Sequence, residues 1–319
     1  MKGIKASSRI RSGRNRGGLQ LLIPAACALL LIVTSLSSAQ QQGTAPDWKT
    51  VEQALGKSGS IQPGDVYKVS FPRSDLKVTA AGVELKPALA LGTWVAFKRM
   101  GDTTVAMGDL VLAENEVTPV LSKLQEGGVE ATALHNHVLN ESPRVMYMHI
   151  HAMGDAVTIA KAIHDALALT KTPFSAPSST ATAEIGIDTR QTDQIMGQSG
   201  KVNGGVYQFS IARADEITDV MGDHKMVIPP AMGLAQAINF QATGGGKAAI
   251  TGDFVLLASE VTPVMKALRE NGIEVTAVHS HMLTDNPHLF FMHFWANDEA
   301  LRLARGLRVA LDRVNVVHK

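Results

Sequence analysis

The chain has 319 residues, 45% of them apolar and 18% charged, the balance of a folded globular protein long enough for one large core or two ordinary ones. Its formal net charge is +1, but six of its 30 basic residues crowd into the first 16 positions. The remainder sets 24 basic against 29 acidic residues, a net near −5, which excludes a nucleic-acid binder that works through a basic face.

Residues 1–39 carry the basic run Lys2, Lys5, Arg9, Arg11, Arg14 and Arg16 with no acidic residue, then an apolar stretch over 19–33, then Ser37-Ser38-Ala39. This is the order of a signal peptide, with cleavage after Ala39. The apolar stretch is shorter than the ~20 residues of a spanning helix, so no stable membrane span is expected after cleavage. The expectation is an exported protein, periplasmic or extracellular. The alternative is a lipid anchor on Cys27, but Pro24-Ala25-Ala26 is a poor acylation context. Cys27 is the sole cysteine. The mature chain therefore has neither disulfide nor thiolate, and any metal site must use nitrogen and oxygen.

Residues 40–46 read as a flexible lead-in. Asp47 then caps a helix with Trp48, Val51 and Leu55 on one face and Gly56 at its end. Strands are predicted over 66–71, 76–85 and 93–97, with counterparts over 206–211 and 236–240 and a longer loop holding Pro229-Pro230. Arg73 with Asp75 recurs as Arg213 with Asp215, a turn held by an ion pair.

The next stretch occurs twice: GDLVLAENEVTPVLSKLQEGGVEATALHNH over 108–137 and GDFVLLASEVTPVMKALRENGIEVTAVHSH over 252–281. A strand over 105–112 leads into a helix capped by Thr118 with Pro119 first. Val117, Val120, Leu121 and Leu124 form its stripe, and Gly127-Gly128 ends it. Glu116 and Glu260 precede this helix, where a negative charge suits its N-terminus. Strands over 129–138 and 144–152 follow. Asp155 then opens a helix with Ala156, Ile159, Ala160, Ile163 and Leu167 on one side. The second copy keeps this order through Leu311.

The β-α-β-β-α order is most of a ferredoxin-like split βαβ unit. The expected fold class is α+β, with two homologous repeats, each a split β-α-β-β-α core plus extra N-terminal strands. Their bounds are 40–170 and 185–319, joined by a linker over 171–184 rich in Ser, Thr, Pro and Ala.

Strand alternation places the histidines. Leu134, Val138, Met146, Met148 and Ile150 share one face, to be covered by helices; His135, His137, Tyr147, His149 and His151 share the other. His135 is expected roughly opposite His149. The second copy sets Met282, Phe290, Met292 and Phe294 against His279, His281, Phe291, His293 and Trp295. Imidazoles on adjacent strands form a first shell for zinc, with copper or nickel as alternatives. The candidate ligands are His135, His137, His149, His151, His279, His281 and His293, with Asp109 and Asp253 as outer partners. The two sets form either two sites or one composite site between the halves.

The blocks FPRSDLKVTAAGVEL, GDLVLAENEVTPVL, EATALHNHVLNESPRVMYMHIHAMGDA and EVTAVHSHMLTDNPHLFFMHFWA resemble the LppY/LpqO family of exported bacterial proteins. The resemblance covers the mature chain and implies export and a duplicated domain. It supplies no activity and no catalytic roles.

No phosphate-binding glycine loop, G-x-S-x-G elbow or H-E-x-x-H helix is present. Three functions fit the residues. The first is a non-catalytic metal-binding protein of the cell envelope; the second is a metal-dependent hydrolase using the same site. The third is a metal-free module whose imidazole face takes a small polar ligand or a partner.

Overall fold

The structure, a computed structural model, describes residues 47–175 and 185–317. The expected leader with its cleavage site, and residues 176–184 of the expected linker, lie outside the described residues.

The first repeat starts with α1 (Trp48–Leu55), capped by Asp47, whose carboxylate accepts the Lys49 amide. Gly56 closes it at φ 77°, a left-handed conformation suited to glycine. Four short strands follow: β1 (Ser60–Gln62), β2 (Val66–Pro72), β3 (Thr79–Ala80) and β4 (Val83–Glu84). Then come the single turn α2 (Pro87–Ala90) and the long strands β5 (Gly92–Met100) and β6 (Thr103–Ala113). The repeat ends with α3 (Val117–Glu126), β7 (Glu130–His135), β8 (Glu141–Ser142), β9 (Val145–Gly154) and α4 (Ala156–Leu167).

The second repeat begins with α5 (Thr189–Met196), β10 (Lys201–Asn203) and β11 (Val206–Ala212). Next are β12 (Thr218–Met221), β13 (His224–Val227), β14 (Ala235–Gly244) and β15 (Lys247–Leu257). It closes with α6 (Ala258–Glu270), β16 (Glu274–His279), β17 (Asp285–Asn286), β18 (Leu289–Glu299) and α7 (Ala300–Leu311).

Each repeat builds one six-stranded antiparallel sheet, in the orders β1-β2-β5-β6-β9-β7 and β10-β11-β14-β15-β18-β16. In the first, β6, β7 and β9 lie in spatial order first, third, second, as a split βαβ unit requires. β5 and β14 occupy the place of the closing strand of a ferredoxin-like fold. The fold is α+β with two repeats. A small sheet in each repeat, β4-β3-β8 and β13-β12-β17, fastens the loop that follows His-x-His.

Helices cover one face of each large sheet. Val51, Leu55, Val120, Leu124, Ile159 and Ile163 pack there on Phe71, Phe97, Met148 and Ile150, and the second repeat does the same with its own residues. The opposite faces of the two sheets pack on each other. One mixed cluster joins Val105 and Met107 to Ile217, Met282 and Phe291; another joins Val138 and Tyr147 to Val206 and Trp295.

Several local expectations are corrected. The loop with Pro229-Pro230 contains the β12–β13 hairpin. The helix expected from Thr118 begins at Val117 after a 3-10 turn, because Glu116 rather than a threonine takes up the free amide, that of Ala113, at 2.8 Å. The strand expected over 129–138 ends at His135, so His137 lies in the following loop. Leu134 sits at the sheet edge and is 47% exposed, while Val138 and Met282 pack between the repeats rather than under helices.

The Arg-x-Asp pairs are more than turns. Arg73 is wholly buried and donates to Asp75, to Glu116 and to the Val111 carbonyl, tying β2 to β6 and to the start of α3. Arg213 repeats the set with Asp215, Glu260 and Val255. Replacing one member of such a network strands the other charges away from water. Arg73→Met is expected to lower stability by about 3–5 kcal/mol in denaturant unfolding.

Candidate metal centre

The centre lies where the two imidazole faces meet. Asp109 on β6 pairs in register with His149 on β9, and Asp253 on β15 pairs with His293 on β18. His135 and His279 end the edge strands β7 and β16, and His137 and His281 follow in the loops. His149 faces Ala133, and His135 faces Tyr147 rather than His149, because β7 ends at His135 and a longer loop leads to β9; a bulge between Ala131 and Ala133 lies beyond these pairs. His135 and His149 still stack diagonally, with ring centroids 5.0 Å apart.

Six imidazoles interleave across the repeats in three pairs. His135 lies against His279 with centroids 3.5 Å apart, His137 against His293 at 3.8 Å, and His149 against His281 at 3.6 Å. The ligand atoms of His135, His137 and His149 lie within 4.8 Å of one another, as do those of Asp253, His279, His281 and His293. The two sets face each other ring against ring across the repeat interface. Asp109 approaches His137 at 3.7 Å, and Asp253 approaches His281 at 3.3 Å and His293 at 3.8 Å.

Backbone carbonyls fix the ring protons. The Nδ1 of His135 meets the Asn136 carbonyl at 3.2 Å, that of His279 the Ser280 carbonyl at 3.3 Å, and that of His293 the Gly252 carbonyl at 2.8 Å. A carbonyl oxygen only accepts, so each of these Nδ1 atoms carries the proton and each neutral ring turns the Nε2 lone pair into the centre. His279 Nε2 and His293 Nε2 are then two lone pairs 2.8 Å apart. Such an approach requires a proton or a cation between them. The Nε2 atoms of His135, His137, His149 and His281 are buried without a hydrogen-bond partner, as is one oxygen each of Asp109 and Asp253. Buried polar atoms left so are rare in folded proteins.

Burial sets the protonation states. Loss of solvent, reinforced by neighbouring imidazoles, lowers His137, His149 and His279 well below the usual histidine range and brings His135 to about 4. Burial alone lowers His281. It brings His293 to about 4 even though the Asp253 charge opposes it. These are neutral imidazoles, the form that ligates metal. Burial also raises the carboxyls, Asp109 to about 8 with the Asp253 charge adding to it, and Asp253 to about 6. Lys68 is lowered to about 8 by burial while Asp109 pulls the other way; its ammonium lies 3.8 Å from the Trp94 ring centroid. A divalent cation among these groups would favour the ionised carboxylates.

His151 is the exception. Its Nε2, also buried without a hydrogen bond, lies 3.0 Å from Asp219 Oδ2 as an ion-pair contact across the repeat interface, and the residue takes no part in either set. Pairing with a carboxylate from β12 draws it away from the ligands expected from spacing. The sequence reading also missed the crossed threonines. Thr132 donates to the His281 carbonyl and Thr276 to the His137 carbonyl, both at 2.6 Å, so each repeat holds the other's loop. Tyr147 and Phe291 lie 3.3 Å beneath His137 and His281. Their common offset of 144 positions was the available signal.

Residues 49–169 and 190–313 each match the model of a family described as Domain of Unknown Function (DUF1259). The chain belongs to that family. It carries two copies of the family's domain, one in each repeat. A search of curated proteins finds no match. Among solved structures, the chain is similar to a trimeric bacterial microcompartment shell protein, PduB, at 14% identity over 83% of this chain and 97% of that one, with a TM-score of 0.22. It is similar also to EtuB from Clostridium kluyveri, at 10% identity over 80% and 91% of the chains, with a TM-score of 0.19. At such scores neither likeness bears on function.

Asp219 tests the His151 pairing. Burial opposes its charge, but the His151 ring and the Thr284 hydroxyl outweigh burial and hold the carboxyl below its usual range. A carboxylate titrating below its unfolded value of ~3.9 stabilises fully above that value and loses its contribution as pH falls through the folded one. Asp219→Asn is expected to cost ~1.5–3 kcal/mol at neutral pH. The gap from wild type should narrow in denaturant melts taken at about pH 3.

Proposed function

We propose that the protein binds a transition-metal ion between its repeats, through His135, His137 and His149 on one side and His279, His281 and His293 on the other. Zinc suits neutral imidazole and carboxylate donors best, with copper or nickel as alternatives. The observation that carries this reading is the four buried Nε2 atoms of His135, His137, His149 and His281 without a hydrogen-bond partner, beside the Nε2 pair of His279 and His293 at 2.8 Å. Asp253 converges with the imidazoles as a donor of the second set, and Asp109 approaches Nε2 of His137, so the two carboxylates would balance the charge of the ion from within the centre rather than from behind the rings. His151 belongs to the interface rather than to the ligand set.

The leader and the resemblance to LppY/LpqO proteins support an exported, cell-envelope address. No helix among the described residues is long and apolar enough to cross a membrane. N-terminal sequencing of the exported protein is expected to begin at Gln40, and a lipid-modified start at Cys27 would overturn the cleavage reading.

Elemental analysis of mature protein purified without a metal-binding tag tests the site. Wild type is expected to retain metal. His137→Ala and His281→Ala should each weaken binding by at least about 100-fold, since even outer partners account for 10–100-fold. Asp253→Asn, which removes the carboxylate charge from the second set, should weaken binding by at least about 10-fold. Wild type that never retains metal would sink the proposal and favour a metal-free site for a polar ligand.

A further inference from the structure

Beside the centre, Ser280, His288 and Asp285 form a chain of hydrogen bonds in the loop between β16 and β18. His288 Nδ1 meets Asp285 Oδ1 at 2.7 Å, and His288 Nε2 meets Ser280 Oγ at 3.1 Å. The Asp285 side chain is almost fully buried, and its second oxygen accepts the Leu289 amide at 2.6 Å. The atom order fixes the roles. A carboxylate accepts, so Nδ1 carries the proton and Nε2 presents its lone pair to the serine hydroxyl. This is the connectivity by which a serine is activated as a nucleophile, recognised by geometry and not by sequence position.

The first repeat supplies a comparison within the molecule. At the positions 144 earlier stand Asn136, Glu141 and Arg144, and the same loop forms there with β8 in place of β17. Arginine does not act as a base and asparagine is no nucleophile. The loop fold therefore does not require the serine, the histidine or the aspartate. Only the second repeat carries the relay.

We propose that Ser280, His288 and Asp285 hydrolyse short-chain carboxylic esters. Ser280 Oγ attacks the ester carbonyl carbon while its proton passes to His288 Nε2. The bond from that carbon to the alkoxy oxygen breaks, and the leaving alcohol takes the proton. Water then attacks the acyl-serine, giving its proton to His288; the carboxylic acid leaves and the serine regains its proton. Asp285 is a positioning residue that holds the ring and its tautomer. The amide of His281, next in sequence to the nucleophile, would supply a donor to the oxyanion. The site suits small substrates because it opens at the surface, with the His288 side chain 48% exposed. Leu283 in the same loop, 66% exposed, and Val220, whose amide bonds the Thr284 carbonyl, offer apolar contact for a short acyl group.

The test uses the mature protein with a fluorophosphonate probe, peptide mapping of the adduct, and turnover of p-nitrophenyl butyrate. The probe is expected on Ser280. Turnover should fall by on the order of 10³-fold or more in Ser280→Ala and in His288→Gln. It should survive a chelator, which separates the serine route from hydrolysis by a metal-bound hydroxide and keeps this outcome independent of the metal reading. Ser280 lies outside the core, and a circular-dichroism spectrum matching wild type confirms that Ser280→Ala is folded. Absence of label at Ser280, or equal turnover in the folded Ser280→Ala protein, would overturn the proposal.

Discussion

Two sheet faces that carry imidazoles are pressed together out of water, and the rest of the molecule is arranged around that contact. Burying ring nitrogens is unfavourable unless each finds a partner. Backbone carbonyls satisfy three of the Nδ1 atoms, and the threonines of each repeat bind the loop of the other. Four of the six Nε2 atoms are left over, and those of His279 and His293 meet each other. Apolar clusters on either side, Val105 with Met282 and Val138 with Trp295, provide the burial that holds the two faces closed.

Hydrophobic period and turn residues made most of the fold readable: the two repeats, the split β-α-β-β-α core, the helix opened by Asp155 and the stop at Gly56. The β12–β13 hairpin was not readable, because its short polar strands lack a strong alternation and follow a turn. Strand parity placed the histidines on a common face; it holds for His135, His149, His279 and His293, while His137 and His281 come together with them from loops. The early end of β7 lengthens the loop to β9, and that moved the partner of His149. His151 obeys the parity rule and still leaves the ligand set. Its partner, Asp219, is 68 positions away in the other repeat, where no local pattern points to it.

The repeats have diverged where the shared fold allowed it. Trp295 stands in the second copy where His151 stands in the first, one packing into an apolar cluster and the other pairing with a carboxylate. The loops after His-x-His differ likewise, with Glu141 and Arg144 against Asp285 and His288. By contrast, the buried arginines keep equivalent partners in both halves, since each guanidinium satisfies a carbonyl and two carboxylates that cannot be abandoned singly; they differ only in Nε, which donates to Asp75 in the first half and has no partner in the second.

The crossed threonine bonds have a consequence for ancestry. Thr132 reaches the loop of His281, and Thr276 reaches that of His137, so residue i of one copy touches residue j of the other and the reverse. This reciprocity is the mark of an isologous twofold contact, here written into a single chain. A one-copy protein with this domain would meet the same constraint by pairing with itself. Gene fusion of such a homodimer yields two halves with the same interface, free thereafter to change one at a time.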